Sequence, residues 1–540
     1  MSKTFPVACL VTMLALGTGY GQEENLKPAP PRGNQGEGPF EKLILRGATL
    51  IDGTGAMPRG PVDIVIEKNR IVEIKNVGVP HMPIDEKERP QLGTTGTTAT
   101  KEIDLSRSYV LPGFVNLHTH VGAAPKAPEA EYTYKLFMAH GVTTIRGVPI
   151  ASMSFSLSER ERSARNEIVA PRIFAYHRPG QGEDWKGGPI TTPEKAREWV
   201  RYAAQKGIDG LKLDAHPPEI MKALLEEAKA NGLGSTAHLS QNGVAQMNAI
   251  DAARLGLGTV THFYGIFESL YDGRDVQPWP PSANYNNEQD RFGQVAMQWD
   301  KIHPRGSAEW EALLDEFLEH RTILDPTMTA YLAGRDVMRR RNSDYHEKYT
   351  LPSLWDYYQP SRLNHGSYWY YWTTWEEVAW RNFYRVWMQF LDDYKDRGGR
   401  VTVSDDAAFI YNLWGFGNIE EMELLQEAGF HPLEIFRGAT LHGAEGLFEP
   451  KGKPIEFGVV RPGLLADLVV VDENPIANLK VLYGTGAERL NDETGKAERV
   501  GGVKYTIKDG IVYDAKELLA DVARMVEKAK IGRATDSAGR

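Results

Sequence analysis

The sequence predicts an α/β protein: a (β/α)8 TIM barrel inserted in a small composite β-sandwich domain formed by both chain ends. Three observations carry that expectation. Short apolar strands alternate with amphipathic helical stretches through the middle of the chain. Eight such strands can be counted, which suits a closed barrel better than an open sheet. Strand-and-turn segments lie at both ends, and the N-terminal ones have no partners nearby in sequence.

The chain has 540 residues, of which 41% are hydrophobic and 25% charged. That is ordinary for a soluble globular protein and allows a sizeable core. A net charge of -10 gives no reason to expect a nucleic-acid partner. Residues 1–21, MSKTFPVACLVTMLALGTGYG, read as a secretory signal peptide. The apolar run is too short for stable membrane insertion. The expected location is therefore periplasmic or extracellular. The one cysteine, Cys9, lies inside this segment. The mature chain would then hold no disulfide and no thiol nucleophile, and any metal must use His, Asp, Glu or a modified Lys. Residues 22–39 are polar and rich in Pro and Gly, which predicts a linker.

Residues 40–108 form the first part of the composite β-domain, with KLILRGATLIDGTG and VDIVIEKNRIVEI as its strands. The barrel is expected over 109–450. Its strands are YVLPGFVNLHTHV from Tyr109, then 142–148, 171–177, 208–215, 233–239, 258–265, 321–328 and 399–407. EKAREWVRYAAQKG and PEIMKALLEEAKANG read as amphipathic helices with early acids and terminal glycines. Residues 266–320 and 329–398 are insertions. The second holds Trp355, Trp369, Trp372, Trp375, Trp380 and Trp387, half of all tryptophans. It reads either as helix packing or as an aromatic wall over the barrel mouth. Residues 451–514 return to strand, and 515–540 form a helix and tail.

His118 and His120 end the first barrel strand, and residues i and i+2 of a strand share a side. Two imidazoles there can bind one metal. The pair is weak alone. Lys212, His238, His262 and Asp406 strengthen it, because each ends a different barrel strand, and such ends converge on one mouth. A protonated Lys212 beside cations is unfavourable, whereas its deprotonated amine can take up carbon dioxide and become a bridging carbamate. Asp406 reads as ligand and proton shuttle, with its neighbour Asp405 as the competing choice. Tyr264, His177, Arg178 and Asp325 are further candidates for substrate contact, while Tyr132 and His140 look helix-borne and structural.

From about Leu43 to Tyr513 the chain resembles the amidohydrolase superfamily, in its imidazolonepropionase-like and prolidase-like bacterial branch. The resemblance rests on LIDGTG, YVLPGFVNLHTHV, AHGVTTIR, GLKLDA, TAHLS, VTHFYG, GRVTVSDDA, EAGFHPLEIFRGATLHGAEGLF and VVRPGLLADLVVVDENP. It implies metal ligands at His118, His120, Lys212 as a carbamate, His238, His262 and Asp406. Asp405 departs from the family pattern, which has a hydroxyl residue there. The resemblance implies two divalent metal ions, zinc first, with manganese or iron also fitting such ligands. It implies hydrolysis of an amide or peptide C–N bond by a metal-activated hydroxide, as in a dipeptidase, a prolidase or an N-acyl amino acid hydrolase. A small-molecule or short-peptide substrate follows, and a homo-oligomer is permitted. The alternatives are a lactonase, a cyclic amidase or a deaminase of the same fold, or a non-catalytic binding protein that retains the barrel.

Overall fold

The structure, a computed structural model, describes residues 26–538 apart from 80–81, 83, 85, 94–99, 123–124 and 273–276. The expected signal segment and Cys9 lie outside the described residues.

Eight parallel strands form a curled sheet: β1 (Phe114–Thr119), β2 (Val142–Gly147), β3 (Arg172–His177), β4 (Gly210–Leu213), β5 (Gly234–Ala237), β6 (Thr259–Thr261), β7 (Ile323–Asp325) and β8 (Arg400–Val401). They pair in consecutive order. The chain beyond β8 returns to β1, where the Asp406 N–H donates to the His118 carbonyl at 3.1 Å. Leu117 N–H donates to Ser404 Oγ at 2.8 Å in the same seam. The strand ends therefore surround one mouth, as eight parallel strands in consecutive order require.

The helices between strands form where the sequence marks them. In Pro193–Lys206, Thr192 accepts from the Lys195 N–H, proline opens the first turn, and Gly207 ends it at φ 91°. Trp199, Val200 and Ala203 form its buried stripe. Within the second insertion, Thr374–Asp396 starts with a capping box between Thr373 and Glu376. Its Trp380, Phe383 and Trp387 close around Phe263, which follows β6, with ring centroids 5.0–6.1 Å apart. These two tryptophans pack the barrel flank. Trp375 stays 78% exposed.

The second sheet is mixed and built from both ends. Its order is Ile511–Asp514, Val503–Lys508, Leu468–Val471, Tyr109–Pro112, Lys42–Leu50, Arg59–Glu67 and Arg70–Asn76, with Thr100–Asp104 also paired to Lys42–Leu50. The halves meet where Leu468 faces Pro112 and Thr49 faces Tyr109. Leu43, Leu45, Ile64, Val110, Leu468 and Ile507 fill its core.

The run from Tyr109, expected as one barrel strand, serves both sheets. Tyr109–Pro112 belongs to the composite sheet and Phe114–Thr119 to the barrel. The switch is at Gly113, where an added Cβ would lie 2.1 Å from Thr143 Oγ1. Both halves are buried in sheets, so the apolar pattern runs unbroken across the switch. Residues 26–39, expected as a linker, lie against the barrel. Leu26 and Ala29 are buried, and Arg32 Nε donates to the Asn166 carbonyl at 3.1 Å. The C-terminal helix Ala515–Ala538 buries Leu518, Leu519, Val522 and Val526. Lys135 pairs with its Asp521 at 2.7 Å. A polar hairpin, Ala487–Asn491 with Lys496–Val500, stands apart from both sheets.

Candidate metal centre

His118 is on β1 and His120 just beyond it, on the same side of the chain. Lys212 is on β4, His238 follows β5, His262 follows β6, and Asp406 comes five residues after β8. The mouth gathers these side chains. One ligand atom from each of His118, His120 and Asp406 lies within 4.8 Å of the others. Asp406 Oδ1 is 3.8 Å from His118 Nε2 and 3.9 Å from His120 Nε2. Its Oδ2 is 3.6 Å from His262 Nε2. Lys212 Nζ is 3.2 Å from His118 Nε2. His238 stands one ring further out, 4.7 Å from His262 between centroids.

Hydrogen bonds behind the rings set their tautomers. The Nδ1–H of His120 donates to the Pro149 carbonyl at 3.1 Å, which leaves Nε2 as a lone pair. The Thr327 hydroxyl donates to the Pro326 carbonyl at 2.7 Å, so its oxygen accepts the Nδ1–H of His262 at 2.5 Å. His262 Nε2 then also presents a lone pair. Metal-binding histidines are commonly oriented by such outer partners.

The fit of this set to a cation can be tested on its unsatisfied atoms. Buried His262 Nε2 and Asp406 Oδ1 have no hydrogen-bond partner. Buried polar atoms are normally paired, so orphans facing one point mark a ligand position. The donors are imidazole nitrogen and carboxylate oxygen, which suit zinc, manganese or iron. The backbone is strained here as well. His262 (φ 66°), Thr327 (φ 49°) and Asp406 (φ 37°) are all left-handed without being glycine. Such conformations persist where the surroundings impose them, and they gather at functional sites.

The electrostatics favour ligand-competent rings. Burial, reinforced by the Lys212 charge, holds His118, His120 and His262 well below the usual imidazole range. Burial and the neighbouring His262 do the same for His238. Burial also lowers the Lys212 ammonium, with Arg178 adding to the effect. It raises the Asp406 carboxyl, against the pull of Lys212 and Lys126. Charged forms are disfavoured all round in the absence of an ion.

The register question between the two aspartates has a geometric answer. Asp405 turns away from the imidazoles, accepting from Asn116 Nδ2 at 2.8 Å and the Gly415 N–H at 3.1 Å. Asn116 Oδ1 in turn accepts the His118 N–H at 2.9 Å. Asp405 thus braces the strand that carries His118.

Other candidates lie close by in different settings. Tyr264 is buried, its ring 4.6 Å from His238 and its hydroxyl 2.8 Å from that of Tyr331. Asp325 sits beneath the site, 3.9 Å from His118 Nδ1 and 3.6 Å from Arg146. Arg178 pairs with Asp214 at 2.6 Å, and His177 is fully buried. Tyr132 and His140 are buried at the helix Ala130–Ala139 and its C-cap.

Several site residues carry no sequence signal. Arg146 spans the barrel interior from β2, donating to the Leu117 carbonyl and to the Thr236 and Thr259 hydroxyls. Glu421 accepts the Met328 N–H at 2.9 Å and the Thr329 N–H at 2.7 Å, pinning the turn that carries Thr327. Lys126 stands at the rim between Tyr357 and Phe409. Only β2 position marks Arg146, and nothing local marks the other two.

No protein-family model matches the chain. Among curated proteins, the adenine deaminase of Methanoculleus marisnigri is 46% identical over 120 residues, 21% of this chain and 21% of that protein. The dihydroorotase of Anaeromyxobacter dehalogenans is 26% identical over 226 residues, 40% of this chain and 46% of the relative. The chain thus spans less than half the length of these curated relatives. Likeness to solved structures is more extensive. A Xaa-Pro dipeptidase with methionine bound in its active site superposes with a TM-score of 0.56 at 20% identity, over 88% of this chain and 100% of that one. Bottromycin amidohydrolase gives 0.58 at 17% identity, over 91% of each. A. niger ochratoxinase gives 0.54 at 14%, over 88% of this chain and 96% of its own. The chain therefore shares with these solved enzymes a fold in which a curled sheet of eight parallel strands accompanies a mixed sheet built from both chain ends.

Proposed function

We propose that the protein is a metal-dependent hydrolase of an amide or peptide C–N bond. The observation that carries this reading is the convergence of His118, His120 and Asp406, with Asp406 Oδ1 and His262 Nε2 unsatisfied in the same mouth. The solved dipeptidase and bottromycin amidohydrolase share the fold, which supports the reaction class without fixing the substrate.

His118, His120 and Asp406 would hold a first divalent ion, zinc by preference. His238 and His262 would hold a second, with Lys212 as the bridging carbamate. A bound ion of this kind supplies Lewis acidity and eases the ionisation of water. The protein residues do the rest. The buried Lys212 amine, depressed toward its neutral form, can add to carbon dioxide with loss of a proton. Asp406 faces three imidazoles at 3.6–3.9 Å. From that position its carboxylate can take a proton from water and return it to the leaving nitrogen. Pro149 and Thr327 keep His120 and His262 in the tautomers that coordination needs.

The test uses the full chain reconstituted with zinc, manganese or iron and offered dipeptides, N-acyl amino acids, cyclic amides, lactones and adenine. Adenine belongs in the panel because of the short match to an adenine deaminase. The reading expects amide or peptide turnover that a chelator abolishes and metal restores. Turnover that persists without metal, or is confined to lactones or adenine, would overturn it. The sequence of residues 1–21 supports export to the periplasm or beyond, which N-terminal sequencing of the secreted protein would check.

A further inference from the structure

Lys126 lies six residues beyond His120, in the segment between β1 and the helix Ala130–Ala139. Its backbone carbonyl accepts the Ser353 hydroxyl at 2.7 Å, so the second insertion fixes this segment at the rim. Its ammonium is 4.6 Å from the ring centroid of Tyr357 and 4.6 Å from that of Phe409. The two rings come from different segments. Tyr357 belongs to the insertion helix Pro352–Tyr357, and its hydroxyl is tied to the His365 carbonyl at 2.9 Å. Phe409 follows Asp406 by three residues on the β8 side.

The slot holds a cation without completing it. Ring faces attract an ammonium, but they satisfy none of its three N–H donors as an anion would. Among the described residues no carboxylate lies in ion-pair distance of Lys126 Nζ, although such pairs are plentiful elsewhere on the chain. Arg178, the other cation of the mouth, is occupied by Asp214 at 2.6 Å. Lys126 is only half-buried, so solvent and ligands can reach it. Burial lowers its ammonium to about 8, and the Asp406 charge opposes that fall. Its segment leaves β1 just beyond His120, and the Phe409 ring that contacts it leaves β8 just beyond Asp406, so the slot stands at the same mouth.

We propose that Lys126, clamped between Tyr357 and Phe409, binds a free carboxylate of the substrate beside the amide bond to be cut. The proposal rests on the amidohydrolase reading and narrows it. The substrate class is an N-acyl amino acid or short peptide with its carboxylate unblocked. A single ammonium between two flat rings suits a flat monoanion, whereas a phosphate dianion calls for several donors together.

The experiment compares N-acetyl-L-amino acids with their α-carboxamides in two measurements. Turnover by the zinc-loaded full chain gives kcat and KM. Calorimetric binding to the zinc-loaded Asp406→Asn protein gives affinity without turnover. Loss of one charge-assisted contact is worth about 10- to 100-fold, so the acids should be preferred by that ratio in KM or Kd. In Lys126→Met the acid-to-amide ratio should fall to near one, and Lys126→Arg should restore most of it. Circular dichroism and bound zinc should match the parent. Turnover without acid preference, or a preference that survives in Lys126→Met, overturns the Lys126 subsite and leaves the hydrolase reading standing. Acid-selective, Lys126-dependent binding without turnover of any pair, or of the dipeptides and cyclic amides of the wider panel, sinks the hydrolase reading and upholds the subsite. Neither binding nor turnover of any acid overturns both.

Discussion

Thr327 accepts the Nδ1–H of His262 at 2.5 Å while giving its own proton to the Pro326 carbonyl at 2.7 Å. The two bonds together leave His262 Nε2 as a lone pair 3.6 Å from Asp406. Thr327→Val keeps the shape and removes the acceptor. Outer-shell losses of this kind lower metal affinity about 10- to 100-fold. Competition against a chelator should show that loss in the variant, with secondary structure retained. Parental affinity would mean that His262 is not oriented through Thr327.

The neighbouring aspartates should separate by phenotype. Asp406 faces the imidazoles, and Asp405 faces Asn116 and the Gly415 N–H. Asp406→Asn should fold normally and lose roughly 100- to 10,000-fold in kcat, the usual range for a missing acid–base group. Asp405→Asn puts a donor against a buried N–H and should lose about 1–3 kcal/mol of stability. Its activity should fall less, since its link to His118 runs through the Asn116 amide. Urea unfolding and kcat on one substrate check both. The reverse pattern would exchange the two roles.

Much of this layout is visible in the sequence, and the losses have physical causes. His118, His120, Lys212, His238, His262 and Asp406 stand out because each lies near or beyond the C-terminal end of an apolar strand, and parallel strands bring their ends together. Gly113 does not stand out, because the residues on either side are buried in two different sheets and read as one apolar run. The segment 26–39 has a linker composition, yet Leu26 and Ala29 are enough to dock it. Thr327 and Glu421 are 94 residues apart in number and meet only through the turn that Glu421 pins. Lys126 is a lone lysine in sequence and acquires meaning only between rings from two other segments.

Glu421 offers a test of that long-range support. Both carboxylate oxygens accept backbone N–H groups, from Met328 and Thr329. Glu421→Gln turns one acceptor into a donor facing an N–H, at a cost of about 1–3 kcal/mol. The amides of Met328 and Thr329 should exchange hydrogen faster, and metal affinity should fall with them through Thr327. Faster exchange with unchanged affinity would show that the turn and His262 are independent.

Gly113→Ala tests the switch between sheets. The new Cβ would meet Thr143 Oγ1 at 2.1 Å, too close for any rotamer change of its own to relieve. Overpacking of this kind costs about 1–3 kcal/mol, or more where backbone must move. The denaturation midpoint should fall, and Thr143→Ala in the same chain should recover part of the loss. A midpoint equal to the parent's would mean that the strand can bend elsewhere.

His140 links acid sensitivity to a residue away from the metal centre. It is fully buried at the end of the helix Ala130–Ala139, Nδ1 2.8 Å from the Leu136 carbonyl and its ring 4.2 Å from Phe416. Burial pushes it down to about 4 from the usual 6.5. The unfolded chain therefore takes up a proton near pH 6.5, which the folded chain refuses until about pH 4. Stability contributed by the neutral ring is complete above pH 6.5 and is lost as the pH falls through that window. The slope approaches about 1.4 kcal/mol per pH unit for one such group. His346 and His442 are depressed to about 4 as well, so the parent slope should exceed that of one ring. His140→Gln cannot titrate. Its urea-unfolding free energy should start lower at pH 7.5, through lost packing on Phe416, and decline less steeply between pH 6.5 and 4. An unchanged slope would show that His140 already binds its proton in the folded chain, and the acid response would then belong to the other rings.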